Sequence, residues 1–217
     1  MNFSEAAGYI AMAVTAYLLG SIPTGYLVAR AKGIDIRTVG SGNMGATNVF
    51  RVLGKTAGAI VLIIDGLKGY AACAWLAGFW ANQFAVPAAQ QECFRILAGV
   101  AAVLGHNYTC WLKFKGGKGV ATSAGVFFAL APLAAGVALA AWIFVFALSR
   151  YASVASIVAA IVLSGAVWLT ENNLILQLVT TALGLLAIIK HKENIKRLLN
   201  GTERRFGKKS ETQEAVK

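Results

Sequence analysis

The feature that most constrains this chain is its series of long, uncharged apolar runs. Residues 6–29, for example, contain no charged side chain, and about 20 apolar residues suffice for a helix to cross a bilayer. Across the chain 58% of residues are hydrophobic and 13% are charged, whereas a soluble domain has about 25% charged residues. The runs also lack the polar face of a soluble amphipathic helix. The pattern therefore predicts an all-α polytopic integral membrane protein.

The apolar runs predict seven transmembrane helices. They are residues 6–29, 56–81, 94–111, two short spans within 120–148 that turn near Pro132, 157–169 and 174–189. This arrangement makes residues 1–189 one transmembrane domain, with polar loops at 30–55, 112–119 and 149–156. Residues 190–217 form a basic segment whose polar end is predicted to be disordered.

The positive charges predict how the chain is oriented. Of the 20 Lys and Arg residues, 18 lie in the three loops or in residues 190–217. Because cytoplasmic loops carry the excess of Lys and Arg, these four segments are predicted to face the cytoplasm, with the N-terminus outside. A single span over 120–148 would instead place the basic C-terminal segment outside. The net charge of +11 thus indicates topology and anionic substrates rather than nucleic acid.

Two charged residues, Asp65 and Lys68, lie inside the second predicted span. Their spacing of three residues allows them to pair on one helix face, and we expect this pair to be mainly structural. In the first span, Pro23 frees a backbone carbonyl one turn earlier, which Ser21 or Thr24 is expected to satisfy. The three cysteines are widely spaced, which predicts neither a disulfide framework nor a metal site.

The segment GHNYTCWLKFKGGKGVAT, residues 105–122, combines glycines and lysines between two apolar runs. Glycine backbones can turn their N–H groups toward an oxyanion, so Gly116, Gly117 and Gly119 are predicted to form an anion-binding loop. Lys115 and Lys118 add positive charge beside it, and the following helix adds its N-terminus. The alternative is a charged loop that flanks the membrane. The segment is not a Walker A loop, which needs an earlier Gly and a final Ser or Thr.

The loop at 30–55 contains a second polar motif, GSGNMGATNVFRVLG. Its glycines, Gly42 among them, permit a tight turn, and Ser41, Asn43 and Asn48 offer side-chain donors and helix caps. Arg51 follows on a predicted short helix, where its guanidinium could fork onto a phosphate. A capped turn without function would explain the polar residues, but it explains the Arg less well.

Two further segments contribute polar side chains to the same predicted membrane face. Ser153 and Ser156 lie in the short polar turn at 149–156, and His191 and Asn194 open the C-terminal segment. His191 and Asn194 are three residues apart, so we expect them on one helix face. Cations and neutral donors of this kind suit a phosphate at the membrane surface. The chain contains only two Asp, which excludes a Mg²⁺-dependent phosphotransferase that holds its metal with several Asp.

Three segments, in order, carry a resemblance to a known family: SGNMGATN with Arg51, then GHNYTCWLKFKGGKGVAT, then HKENIKRLLNGTE. They resemble the signature motifs of the bacterial acyl-phosphate:glycerol-3-phosphate acyltransferases, the PlsY family. The resemblance implies a seven-span enzyme of the bacterial inner membrane with its active site facing the cytoplasm. It implies acyl transfer from acyl phosphate to the 1-hydroxyl of glycerol 3-phosphate, giving lysophosphatidate and phosphate for phospholipid biosynthesis, without a cofactor.

The resemblance also assigns residues and partners. The catalytic positions that it implies, associated with substrate phosphate, are Ser41, Arg51, Lys118, His191 and Asn194. The substrate-binding residues are Gly42, Asn43, Asn48, Lys115, Gly116, Gly117, Gly119, Ser153 and Ser156. Expected partners are glycerol 3-phosphate, acyl phosphate and the lipid bilayer. No nucleic acid and no obligate protein partner are inferred.

The chain offers few candidates for a general base. Asp35 and Asp65 flank the first loop or lie within a span, and Glu193 is expected to pair with Arg197 four residues on. His106 and His191 remain as candidates. We expect His191 mainly to bind phosphate, and a substrate phosphate oxygen to accept the proton. The alternative function is a small membrane transporter or binding protein for a phosphorylated metabolite. Such a protein would need polar residues that reach the bilayer centre from both sides, whereas here they cluster on one.

Overall fold

The computed structural model describes residues 3–207, and within that range every regular element is helical. The helices are α1 Phe3–Ser21, α2 Thr24–Arg30, α3 Ala46–Leu53, α4 Lys55–Ala71, α5 Ala77–Gln83, α6 Ala88–Asn107, α7 Val120–Leu130, α8 Pro132–Ser149, α9 Ala152–Thr170, α10 Leu174–Lys190 and α11 Lys192–Leu199. A π-helical stretch, Ala72–Leu76, joins α4 to α5, and a 3₁₀ turn, Cys110–Leu112, follows α6. The predicted disordered end of the chain lies outside the described residues.

The chain divides into two compact units. The first ends at Leu130 and the second begins at Ala131. In the first unit α1 packs on α6, and α4 packs on α3 and α7; in the second, α8 packs on α9, and α9 on α10. The start of the basic segment, from residue 190, belongs to the second unit.

Four helical segments are long and apolar enough to cross a membrane: Glu5–Arg30, Lys55–Gln83, Pro132–Ser149 and Ala152–Thr170. A fifth is possible if Leu174–Lys190 and Lys192–Leu199, which are bent by 53°, count as one broken span. Helix α7 is apolar but has only 11 residues. Helix α6 has 20 residues, but its first half contains Gln, Glu and Arg, which lower its hydropathy.

The break near Pro132 is confirmed. Helix α7 ends at Leu130, and Pro132 opens α8, the position where a missing N–H and a fixed φ fit a helix best. The predicted polar turn at 149–156 is wrong in its extent. Helix α9 begins at Ala152, so only Arg150 and Tyr151 link the two helices.

Small residues bring the helices of the first unit close together. A Cβ on Gly20 would overlap the backbone of Ala102, so α1 and α6 meet at van der Waals distance there. The same holds at Gly125 of α7, which lies against the backbone of Gly66 in α4. Close approach through small residues is the usual way for helices to associate in lipid, where apolar burial alone gives little driving force.

Candidate active site

Asn48 organises the first polar loop from the first turn of α3. Its side chain is buried, its Oδ1 accepts a hydrogen bond from the Ser41 backbone N–H at 2.8 Å, and its Nδ2 donates to the carbonyls of Val39 at 3.1 Å and Ile36 at 3.3 Å. These bonds engage both ends of the amide. Asn48 therefore serves to anchor the backbone around Ser41, and we assign it positioning rather than direct binding.

The residues around this anchor have different exposures. Ser41 and Gly42 are exposed at the surface of the loop, and Gly42 has a positive φ of 69° that suits glycine. Asn43 caps the turn, because its Oδ1 accepts a hydrogen bond from the Gly45 N–H at 2.8 Å. The predicted short helix is confirmed as α3, and half-buried Arg51 lies on it three residues after Asn48. Residues three apart share a helix face, so Arg51 lies on the same face of α3 as Asn48, which accepts the hydrogen bond from the Ser41 backbone.

An ion pair lies near the start of the same loop. Arg37 donates from Nη2 to Asp35 Oδ2 at 2.6 Å and from Nε to Oδ1 at 2.9 Å. These hydrogen bonds, followed by that from the Arg37 backbone, lower the pKa of Asp35 to about 2. Asp35 therefore stays ionised and paired at neutral pH, which does not suit a general base.

The glycine-lysine loop folds back onto the C-terminal end of α6. The Gly116 N–H donates to the carbonyl of Asn107 at 3.2 Å, and the Gly117 N–H donates to that of His106 at 3.0 Å. The predicted role of these two amides is therefore corrected: they satisfy the last carbonyls of a helix rather than point toward an anion. A Cβ on Gly117 would overlap the imidazole of His106, which explains why glycine is needed at this position.

The lysines of the glycine-lysine loop, rather than the Gly116 and Gly117 amides, supply its positive charge. Lys115 is exposed, and Lys118 is half-buried one residue after Gly117. Gly119 has a positive φ of 78°, and α7 begins immediately after it, where the Ser123 N–H donates to the Gly119 carbonyl at 2.7 Å. Lys118 therefore lies at the N-terminus of a helix, which itself favours an anion.

A buried polar network lies beneath this loop. Asp65 Oδ1 is 2.8 Å from Lys68 Nζ, accepts a hydrogen bond from Thr24 Oγ1 at 3.0 Å, and is 3.7 Å from His106 Nδ1. The predicted Asp65–Lys68 pair is confirmed, and both side chains are only 3% exposed. Because the His106 ring also fills the space next to Gly117, the network joins α2, α4 and α6 to the glycine-lysine loop.

Neither Ser21 nor Thr24 satisfies the carbonyl that Pro23 leaves without its helical N–H partner, so that prediction is wrong. The Leu19 carbonyl accepts from the Ile22 backbone N–H at 3.3 Å. Ser21 Oγ donates instead to the Gly105 carbonyl at 3.3 Å, and Thr24 belongs to the Asp65 network. Lys68 Nζ donates to the Ile22 carbonyl at 3.0 Å, so the gap between α1 and α2 is closed by a cation from α4.

In the second unit, the polar side chains gather on Glu203. Its Oε1 accepts hydrogen bonds from Ser153 Oγ at 2.8 Å and Asn194 Nδ2 at 2.7 Å, and its Oε2 accepts from Arg197 Nε at 2.7 Å. Burial raises the pKa of Glu203, but the hydrogen bonds from Asn194, Arg197 and Ser153 outweigh it, so the pKa is lowered. The carboxylate thus remains charged and holds α9, α11 and the following segment together.

Glu203 is the residue that sequence reasoning missed. The expected partner of Arg197 was Glu193, but Arg197 pairs with Glu203, and Glu193 is exposed. The only sequence signal was the position of Glu203 at the end of HKENIKRLLNGTE. The prediction that His191 and Asn194 share a helix face fits the structure, since both are buried at the start of α11.

The ring of His191 has a defined tautomer. Its Nδ1 lies 2.8 Å from the Ala187 carbonyl, which can only accept, so Nδ1 carries a hydrogen. In the neutral ring Nε2 is then an acceptor, and in the protonated ring it is a donor. The Ser156 hydroxyl already makes two hydrogen bonds within the protein: it donates to the Ala152 carbonyl at 2.7 Å and accepts from Trp142 Nε1 at 3.2 Å.

Comparisons with known proteins cover nearly the whole chain. Residues 10–201 match the family model described as glycerol-3-phosphate acyltransferase. A relative of that name from Geotalea daltonii is 47% identical over 91% of this chain and 97% of its own length. One from Geobacter sulfurreducens is 46% identical over 90% of this chain and 96% of its own length.

Two solved structures are also similar, both of PlsY, described as an integral membrane glycerol 3-phosphate acyltransferase. Its glycerol 3-phosphate form has a TM-score of 0.82 and 40% identity, covering 96% of this chain and 98% of that one. Its lysophosphatidic acid form has a TM-score of 0.79 and 39% identity over the same shares. These matches confirm the resemblance drawn from the three motifs: the chain is an all-helical integral membrane protein and belongs to the glycerol-3-phosphate acyltransferase family.

Proposed function

We propose that this protein transfers an acyl chain from acyl phosphate to the 1-hydroxyl of glycerol 3-phosphate, giving lysophosphatidate and phosphate for phospholipid biosynthesis. The observation that carries the proposal is the similarity to PlsY in its glycerol 3-phosphate form, at 40% identity over 96% of the chain. The relatives' names support the glycerol 3-phosphate acceptor. The acyl phosphate donor is inferred from the motifs of the PlsY family.

The residues assigned to substrate phosphate are Ser41, Arg51, Lys118, His191 and Asn194. Arg51 and Lys118 would offset the repulsion between two phosphorylated substrates, and would stabilise charge that grows on the leaving phosphate. Acyl phosphate is already activated, so the main task is to orient the attacking hydroxyl on the carbonyl carbon. The hydroxyl oxygen forms the new ester bond, the bond from carbonyl carbon to phosphate oxygen breaks, and a substrate phosphate oxygen takes the proton.

The structure supports a division of labour among the other assigned residues. Asn43, Asn48, Gly116, Gly117 and Ser156 all direct polar groups into the protein, so we propose that they shape the site rather than contact substrate. Ser153 and Asn194 share the carboxylate of Glu203. Because that carboxylate takes an amide hydrogen of Asn194, it fixes which way the amide points. Gly42, Lys115 and Gly119 remain proposed substrate-binding residues.

The reaction is tested with purified protein, palmitoyl phosphate and glycerol 3-phosphate, by following released phosphate and the acylated product. We expect release that requires both substrates, and none when palmitoyl-CoA replaces palmitoyl phosphate. A transporter or binding protein for a phosphorylated metabolite would release no phosphate. Absence of turnover in folded protein, with each substrate supplied in a detergent that supports other membrane enzymes, would contradict the proposal.

Arg51 and Lys118 can be tested one at a time. Each alanine variant removes a charge-assisted contact worth roughly 1.5–3 kcal/mol, so kcat/KM for glycerol 3-phosphate should fall on the order of tenfold to a hundredfold. Lys113→Gln is the matched control, because Lys113 is an exposed cation of the same loop that has no assigned role. Unchanged kinetics in a folded Lys118→Ala variant would remove Lys118 from the site.

We further propose seven spans in the bacterial inner membrane, with the active site on the cytoplasmic face. The four candidate spans become seven when α6, α7 and α10 are added, and the Pro132 break then separates two of the seven. The distribution of Lys and Arg supports an external N-terminus and a cytoplasmic C-terminus. A reporter fused after Lys217 should be active only in its cytoplasmic form, and activity only in the periplasm would exclude this topology.

A further inference from the structure

A small cleft lies in the second unit where α8 ends. It has a volume of about 250 Å³ and is lined by Leu148, Ser149, Arg150, Arg205, Phe206 and Gly207. At about 30 Å³ per water molecule, this space accommodates a phosphate group. Helix α8 is the candidate span Pro132–Ser149, so the cleft lies at the level where an apolar helix leaves the bilayer.

The walls of the cleft are held by backbone bonds. Arg150 has a left-handed φ of 59° and ends α8 by donating its N–H to the Phe146 carbonyl at 2.8 Å. Its own carbonyl accepts from the Phe206 N–H at 2.8 Å, and the Phe206 ring packs edge-on against Phe146, with centroids 5.3 Å apart. The segment after α11 is therefore held against the end of α8, and Arg150 and Arg205 both line the cleft.

The cleft is positively charged. Its lining includes two arginines, both exposed, and no acidic residue. The Arg205 guanidinium lies 5.2 Å from the centre of the Tyr151 ring, a stacking contact that limits its freedom while leaving its N–H donors available. Glu203 is the acidic residue nearest in sequence, and its carboxylate is engaged by Ser153, Asn194 and Arg197. Among the described residues that line the cleft, the two arginines therefore have no acidic counter-charge.

One edge of the cleft is apolar. Leu148 is 71% exposed, one residue before the end of the candidate span Pro132–Ser149. A ligand with a phosphate for the arginines and a hydrocarbon chain for Leu148 fits both features. We propose that this cleft binds the phosphate of an anionic membrane lipid. None of its lining residues is assigned to acyl transfer, so the inference stands independently of the proposed reaction.

Lipid binding to the purified full-length protein tests this inference. The protein in detergent is titrated with dioleoyl phosphatidylglycerol or with zwitterionic dioleoyl phosphatidylcholine, and bound lipid is counted by native mass spectrometry. We expect the wild type to prefer phosphatidylglycerol. The double variant Arg150→Gln/Arg205→Gln should weaken that binding by about tenfold or more, since each surface cation contributes roughly one factor of five in lipid affinity.

The matched control is Lys192→Gln/Lys196→Gln, which removes two charges from exposed positions of α11 and should keep the preference. Inorganic phosphate is added as competitor to distinguish the source of the ligand. Failure of millimolar phosphate to displace the lipid supports a lipid headgroup, and displacement supports a site for the phosphate group itself. If the double variant does not fold, Arg205→Gln alone is used. Equal binding of both lipids, or equal loss in the control, would overturn the proposal.

Discussion

The buried Asp65–Lys68 pair allows a quantitative prediction. Asp65→Asn removes the negative charge next to a Lys side chain that is 3% exposed, while keeping a similar shape and an oxygen for Thr24. Breaking a buried ion pair by removing one partner costs about 3–5 kcal/mol, because the remaining charge is left uncompensated in a dry environment. The hydrogen bond from Lys68 to the Ile22 carbonyl remains, so we expect the lower end of that range.

The prediction becomes specific in a double-mutant cycle. Lys68→Met keeps the length of the side chain and removes its charge, so Asp65→Asn/Lys68→Met contains no isolated charge. We expect the double variant to recover stability relative to the sum of the single variants, with a coupling energy of about 2–3 kcal/mol. The free energy of unfolding is measured by titrating SDS into detergent micelles and following helical circular dichroism.

The exposed pair Asp35–Arg37 provides the control cycle. Its Nη2–Oδ2 distance of 2.6 Å is shorter than the 2.8 Å of the buried pair, but its side chains are 25% and 44% exposed. Solvent screens such pairs, so the variants Asp35→Asn and Arg37→Gln should show a coupling energy of at most about 1 kcal/mol. Additive effects of the Asp65 and Lys68 substitutions, or coupling as large in the exposed pair, would refute the argument that burial makes the difference.

Three further predictions follow from the site. Gly117→Ala should destabilise the protein by about 1–3 kcal/mol, because the added Cβ would overlap the His106 ring. Gly78→Ala is the control, since its Cβ would meet nothing within 4 Å. It should be neutral or stabilising in the same unfolding assay. His191→Gln should retain more phosphate release than His191→Ala, since glutamine keeps a hydrogen-bonding group. If both folded variants are equally inactive, and the pH profile of kcat loses a pKa near that of histidine, His191 is instead the general base. The lowered pKa of Glu203 means that its contribution to stability is complete above about pH 4.3, the ordinary value for Glu, and is lost as the pH falls through the lower folded value. The stability of Glu203→Gln should therefore vary less than that of the wild type across this acidic range, and parallel profiles would contradict the assignment.

Local patterns were sufficient for much of the fold. The apolar runs predicted an all-helical membrane protein, and Pro132 marked a helix boundary because proline disfavours a helical conformation in the residue before it. The short helix with Arg51 and the pairing of Asp65 with Lys68 were also predictable, since both depend on contacts within a few residues. The three motifs indicated the family, which the comparisons confirm.

The tertiary structure decided which groups meet across long sequence separations. Sequence spacing allowed the Gly116 and Gly117 amides to face an anion, but the structure directs them to carbonyls of α6, because the loop folds back onto that helix. The helical spacing favoured Glu193 as the partner of Arg197, yet a turn after α11 brings Glu203 to it. A one-dimensional pattern fixes periodicity and local spacing, whereas the choice among competing hydrogen-bond partners depends on how the chain packs.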